Sequence, residues 1–199
     1  MRIPLPMSLG QESAPFDDAD WVFEIKLDGF RALALIERGH CWFVSRKKRK
    51  FYGLHDLTAA LAREVNAEMA VLDGELAVPD HTGRTVLSDI IKRRHQARYF
   101  AFDLLWLNGE DLRALPLLDR KEKLKGILPS RSLHIVYVDH TKSAGMTLYQ
   151  LACQLDLEGI VAKRADSPYE DNVQQPHWIK IKNPAYGQME RPGDLKKTG

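Results

Sequence analysis

The chain has almost no cysteine. Cys41 and Cys153 are far apart and belong to no CxxC pair. That excludes a disulfide framework and a thiolate zinc site, and fits a reduced, cytoplasmic setting. Long hydrophobic runs are missing as well, so no segment has the length of a membrane span. Met1 to Gly10 contains Pro4 and Pro6 and lacks the basic stretch and long apolar core of a signal peptide. No membrane partner is expected. Excess charge is missing too: Lys and Arg number 29 against 27 Asp and Glu, so a net +2 does not announce a polyanion ligand. Neither GxxxxGK[ST] nor GxGxxG occurs, and HExxH and GxSxG are absent. The seven histidines are scattered and read as structural or surface residues. Any phosphate binding must therefore come from side-chain cations rather than a glycine cradle.

What is present suits one soluble domain, or one domain of two lobes: 199 residues, of which 44% are hydrophobic, enough for a sizeable core. Alternating patterns predict strands over Val22–Asp28, Ala32–Ile36, Cys41–Ser45, Ala70–Val78, Tyr99–Leu107, His134–Val138, Gly159–Lys163 and Trp178–Lys182. Glu37 to His40 reads as a hairpin turn. Leu54, Leu57, Leu61 and Val65 recur at helical spacing; so do Leu124, Ile127 and Leu128, and Leu148, Leu151, Ala152 and Leu155. Strands follow strands across turns more often than across helices. The expectation is α+β with mainly antiparallel sheets, not a doubly wound fold. The tail Arg191–Gly199 is polar and is expected to be loose.

Charge is placed where strands are normally bland. Glu24, Lys26 and Asp28 are spaced by two, as are Asp73 and Glu75, and Lys180 and Lys182. On a strand each set shares one face, at about 6–7 Å per step. One such strand reads as a wet sheet face. Three together point to a polar cleft between sheets, suited to a phosphate and a metal ion. Two basic runs, Arg46-Lys47-Lys48-Arg49-Lys50 and Lys92-Arg93-Arg94-His95, modestly favour a polyanion-binding face.

Glu24-Ile25-Lys26-Leu27-Asp28-Gly29-Phe30-Arg31 resembles the first motif of the covalent nucleotidyltransferases: DNA ligases, RNA ligases and mRNA capping enzymes. Further segments resemble the family's later motifs in the family's order. These are Ser45-Arg46, Leu72-Asp73-Gly74-Glu75, Tyr99 to Leu105, Glu158 to Arg164, and Trp178 to Lys182. The wording around them is most similar to the ligase domain of bacterial end-joining ligases of the LigD type. The resemblance implies an ATP-grasp-like nucleotidyltransferase fold, with two mainly antiparallel sheets flanked by helices and a nucleotide cleft between them. It implies an ATP-dependent DNA ligase core in which Lys26 attacks ATP to form a lysyl-AMP, later passed to the 5′-phosphate of nicked or broken duplex DNA in repair or end joining.

The same resemblance implies residue roles. Nucleotide contacts fall to Glu24, Ile25, Arg31, Arg46, Glu75, Lys163, Lys180 and Lys182, with Phe102 stacking on adenine and Lys163 near the phosphates. Glu75 and Glu158 would hold Mg²⁺ or Mn²⁺, and Arg46 to Lys50 would contact DNA. The chemistry is physically coherent. An amine must be neutral to attack phosphorus, and cations such as Lys180 and Lys182 favour that form while balancing phosphate charge. Glu24 and Asp28 would act in the opposite sense. Judged alone, Phe102 reads as core and Glu158 as a helix-end carboxylate.

Two departures stand out. Lys48 occupies a position where the family usually has glycine, so a turn there loses easy access to positive φ. Family ligases also continue into an OB-fold domain, whereas 17 residues follow Lys182 here. The chain is thus expected to be a single nucleotidyltransferase domain over residues 1–199, without the OB-fold, adenylating slowly or with an OB-fold or end-joining partner in trans. A non-catalytic nucleotide- and DNA-binding module remains an alternative, as does an RNA ligase or a GTP-using capping enzyme.

Overall fold

The alternating segments do form strands, but their order in space is not their order in the chain. The computed structural model describes residues 4–12, 14–170 and 176–187. The tail expected to be loose, residues 191–199, lies outside the described residues. One five-stranded sheet runs β1 (Gly10–Glu12), β11 (Trp178–Lys182), β10 (Gly159–Arg164), β2 (Trp21–Ile25), β9 (Thr141–Lys142). The other runs β4 (His40–Ser45), β3 (Phe30–Glu37), β5 (Met69–Ala77), β6 (Arg98–Leu107), β7 (Glu110–Asp111), with β8 (Ile135–Tyr137) also paired to β6. Pairing is antiparallel except for β1 with β11 and β6 with β8. The expected two mainly antiparallel sheets are present.

The helices cover the outer faces. α1 (His55–Glu64) packs on β3 and β4, and α2 (Leu87–Lys92) on β5. α3 (Leu117–Ile127) lies against β6, and α4 (Gly145–Gln154) against β2 and β10. Three apolar layers result. Along β3, Ala32, Ala34 and Ile36 join the layer beneath α1, while Leu33 and Leu35 join Val22, Val71, Leu105 and Trp178 between the sheets. A strand buried on both faces has a fixed register, because a one-residue slip would exchange the two sets. The third layer sets Phe23, Ile160, Ala162 and Ile181 against Ala152 of α4.

Behind the first five-stranded sheet lies that third layer, so its other face is the one turned toward the second sheet. Register aligns Glu24 with Val161 and Lys180 across this face, with Lys163 beside Trp178 and Gly159 beside Lys182. The period of two read from Trp178-Ile-Lys-Ile-Lys182 therefore sorts correctly. Trp178, Lys180 and Lys182 point into the cleft, and Ile181 points into the core.

Candidate active site

A cleft of 370 Å³ opens between the two sheets. Lys26 stands at the end of β2, where its backbone N–H donates to the Gly159 carbonyl at 2.9 Å. The chain then crosses to the second sheet. Gly29 makes the crossing possible: a Cβ there would sit 2.3 Å from the Leu76 carbonyl oxygen. The expected strand Val22–Asp28 thus stops at Ile25, because residues 26–29 form the crossover.

That crossover overturns the expectation of three charges on one face. Asp28 leaves the cleft and braces the loop. Its carboxylate accepts from the Leu87 N–H at 3.0 Å and the Tyr186 hydroxyl at 2.9 Å, while its own N–H donates to Thr85 Oγ1 at 2.9 Å. Glu24 faces the cleft but is only 2% exposed, with Lys121 and Lys163 each 2.5 Å from its carboxylate. Asp73 is fully buried and does not line the cleft. It accepts from Arg31 Nε at 3.1 Å, from Arg31 Nη2 at 2.7 Å and from the Tyr169 hydroxyl at 2.6 Å.

The Lys26 ammonium contacts the Glu158 carboxylate, with Lys182 3.8 Å from the other oxygen of the same group. Lys26 retains 20% side-chain exposure, so the amine is sheltered yet reachable. Glu75, Arg46 and Lys180 line the same cleft. Burial pushes the Glu75 carboxyl up to about 8, and the charges of Lys26 and Arg31 only partly offset it. Arg31 lines the cleft but is pinned by Asp73 and by the Met7 carbonyl at 2.7 Å; it holds the wall together more than it reaches outward. Ile25 lines the cleft as expected.

Phe102 lines the cleft from β6, edge-on to Trp178 with centroids 5.8 Å apart. Lys163, expected near the phosphates, lies four residues along β10 from the end that meets Lys26, 4.2 Å from the Phe102 ring centroid and 4.0 Å from that of Trp178. Burial drives its ammonium down to about 8, with Glu24 restoring part of the loss. For Glu24, burial alone would raise the carboxyl; the two lysines outweigh it and hold the group below the usual carboxylate range. Lys47, Lys48, Arg49 and Lys50 do not line the cleft. They form an exposed turn leading away from Arg46, closed by Ser45 N–H to the Arg49 carbonyl at 2.8 Å.

Trp178 and Val161 line the cleft although the motif reading gave them no role. Lys121, which buttresses Glu24, was missed too. Its only signal is a cation inside the Leu117, Leu124, Ile127 stripe of α3.

Residues 11–182 match the family described as ATP dependent DNA ligase domain. The chain belongs to this ligase family. The ligase domain is 29% identical to the SPbeta prophage-derived DNA ligase-like protein LigB of Bacillus subtilis, over 96% of this chain and 72% of that protein. It is 32% identical to the multifunctional non-homologous end joining protein LigD of Pseudomonas aeruginosa, over 91% of this chain but 23% of that protein. Among solved structures, a mycobacterial DNA ligase D complexed with ATP and MES superposes with a TM-score of 0.77 at 27% identity. It covers 90% of this chain and 60% of the other. The ligase domain of LigD from M. tuberculosis gives 0.76, also at 27% identity, covering 89% of this chain and 59% of the other. The fold is thus the nucleotidyltransferase fold of these ligase domains.

The carboxylates of the cleft fit a divalent cation. Among the described residues no three His, Cys, Asp or Glu side chains converge as a protein cage. Glu75 and Glu158, both in the cleft, are hard oxygen donors. Mg²⁺ commonly takes one or two carboxylates and completes its shell with water and substrate phosphate, which this pair fits.

Proposed function

We propose that this domain carries out the adenylation chemistry of ATP-dependent DNA ligation, with Lys26 as nucleophile. The carrying observation is a sheltered amine in contact with a carboxylate, in a cleft lined by further cations and by aromatic rings. Lys180, Lys182 and Arg46 suit a polyphosphate; Phe102, Val161 and Trp178 suit a nucleobase.

Lys26 Nζ attacks the α-phosphorus of ATP. A P–N bond forms, the bond from that phosphorus to the α–β bridging oxygen breaks, and pyrophosphate leaves. The proton shed by the amine passes to Glu158, the acceptor already in contact with it. Lys180 and Lys182 balance the charge developing on the phosphoryl oxygens. Mg²⁺ or Mn²⁺, held by Glu75 and Glu158 with substrate phosphate, would supply further charge neutralisation. In the second step the 5′-phosphate of nicked or broken duplex DNA attacks the same phosphorus and releases the amine. The exposed turn Arg46–Lys50 is proposed to hold the DNA backbone just outside the cleft. We place the activity in the cytoplasm; Cys41 and Cys153 are both free, and among the described residues no helix is long and apolar enough to cross a membrane.

Intact-protein mass spectrometry after incubation with ATP and Mg²⁺ tests the reading, with and without an OB-fold ligase domain supplied in trans. An AMP adduct is expected on the wild type and absent from Lys26→Ala, followed by sealing of nicked duplex. Absence of any adduct in both arms would overturn the assignment. Sealing of nicked RNA but not DNA would redirect it to an RNA ligase.

A further inference from the structure

Residues 183–187, which follow β11, touch both halves of the Lys26–Glu158 pair. Asn183-Pro184 is a turn-forming pair, and the Asn183 side chain is used at both ends. Its Oδ1 accepts from the Ala185 N–H at 3.0 Å, and its Nδ2 donates to the Leu157 carbonyl at 3.1 Å. The Asn183 backbone N–H donates to the Glu158 carbonyl at 3.0 Å. Asn183 is 6% exposed, so water competes little for these bonds. Further on, the Gly187 N–H donates to Asp156 Oδ1 at 2.8 Å. Asp156 is 1% exposed, and its other oxygen contacts Arg84. One short segment thus holds the backbone on which Glu158 sits.

Tyr186 carries the same segment to the other half. Its hydroxyl donates to Asp28 Oδ2 at 2.9 Å, with the Thr85 carbonyl 3.3 Å away. Asp28 lies two residues past Lys26 in the crossover, between the end of β2 at Ile25 and the start of β3 at Phe30. No strand partner fixes that stretch. It is held by the Lys26 N–H on Gly159, the Asp28 N–H on Thr85, and the Leu87 N–H and Tyr186 hydroxyl on the Asp28 carboxylate. A lysine side chain is long and flexible, so the place of its amine depends on where its backbone and its partner carboxylate are held.

We propose that Tyr186 is a positioning residue for adenylation: through Asp28 it holds the crossover that carries Lys26 in register with Glu158, whose backbone Asn183 holds from the same segment. The inference rests on the adenylation reading above and adds what keeps the reacting pair aligned. Tyr186 does not line the cleft, so its effect runs through the crossover and not through ATP. Displacing a nucleophile by about 1 Å can cost up to about a hundredfold in rate. Loss of one of several ties should cost less than that, and should leave ATP binding to the other cleft residues.

The test uses the full chain with Tyr186→Phe, which keeps the ring and removes the hydroxyl. Single-turnover adduct formation at varied ATP, read by mass spectrometry, should show a saturating rate about tenfold lower, with half-saturation within about twofold of wild type. On an Asp28→Ala background the same change should cost nothing further. A readout without ATP is acetylation of lysines by an amine-reactive ester, followed by peptide mapping. Lys26 should label about threefold faster in Tyr186→Phe, while Lys121 and Lys163, 1% and 2% exposed, keep their wild-type rates. An unchanged saturating rate together with unchanged Lys26 labelling overturns the inference. So does faster labelling of all three lysines, which marks general loosening, or a raised half-saturation with the saturating rate intact. An undiminished effect on the Asp28→Ala background overturns the route through Asp28. Should the wild type form no adduct, the adenylation reading fails instead, and the labelling of Lys26 still decides whether Tyr186 holds the crossover.

Discussion

At Lys48 the backbone adopts φ +57°, the left-handed region that glycine enters freely and other residues enter at a cost. The turn requires it: the Lys48 N–H donates to the Ser45 carbonyl at 2.8 Å, and the Arg49 N–H reaches Ser45 Oγ at 3.1 Å. A lysine there exchanges backbone comfort for a cation on the exposed turn. Lys48→Gly is expected to raise unfolding free energy by about 1 kcal/mol in urea denaturation. Glu75 makes a second residue-scale prediction. Its carboxyl is raised to about 8 in the folded state, so the folded chain holds a proton that the unfolded chain releases near pH 4.5. Stability is then lost as pH rises from 4.5 through 8. Glu75→Gln should flatten that slope, giving a variant more stable than wild type at pH 8 by on the order of 2 kcal/mol and equal to it near pH 4.5. Parallel profiles for the two proteins would refute the buried, protonated state.

At the scale of elements, β10 sets the distance between Glu158 and Lys26. Its first residue, Gly159, has φ +136°, and a Cβ there would stand 2.1 Å from the Ile181 carbonyl oxygen. Gly159→Ala must therefore push β10 away from β11. Its expected cost is about 2–4 kcal/mol by thermal or chemical melting. Adduct formation should fall further than the folded fraction does, because Glu158 moves with the strand. The longer elements were legible because they are long: Ala32 to Ile36 and Ala70 to Val78 are largely apolar runs buried almost throughout, and Leu57, Leu61 and Val65 recur one helical turn apart. The three-residue β1, the two-residue β7 and β9, and the six-residue α2 are too short to carry such a run or repeat.

Across the whole molecule, the sheets are joined by charge as well as by apolar packing. Arg120 is fully buried; it forks onto Asp103 of β6 with two bonds of 2.8 Å and donates to the Ser167 carbonyl beyond β10 at 2.9 Å. Arg120→Met leaves the Asp103 carboxylate buried and unpaired, with an expected loss of about 3–5 kcal/mol. Adding Asp103→Leu should return much of it, as a double-mutant cycle in denaturant would show. If the single variant melts like wild type, the fork is not holding the sheets.

The sequence by itself determined the longer strands, three of the outer helices and the residue types of the cleft. Periodicity and side-chain chemistry are local properties, and Trp178-Ile-Lys-Ile-Lys182 sorts its own faces wherever the strand lies. Only the tertiary structure decided which charges face the cleft. Glu24, Asp28 and Asp73 look alike along the chain. They separate because a buried carboxylate must be matched by cations or donors brought from elsewhere: Lys121 and Lys163, Leu87 and Tyr186, Arg31 and Tyr169. Those partners lie between 42 and 158 residues away, a separation that no spacing within a motif can encode.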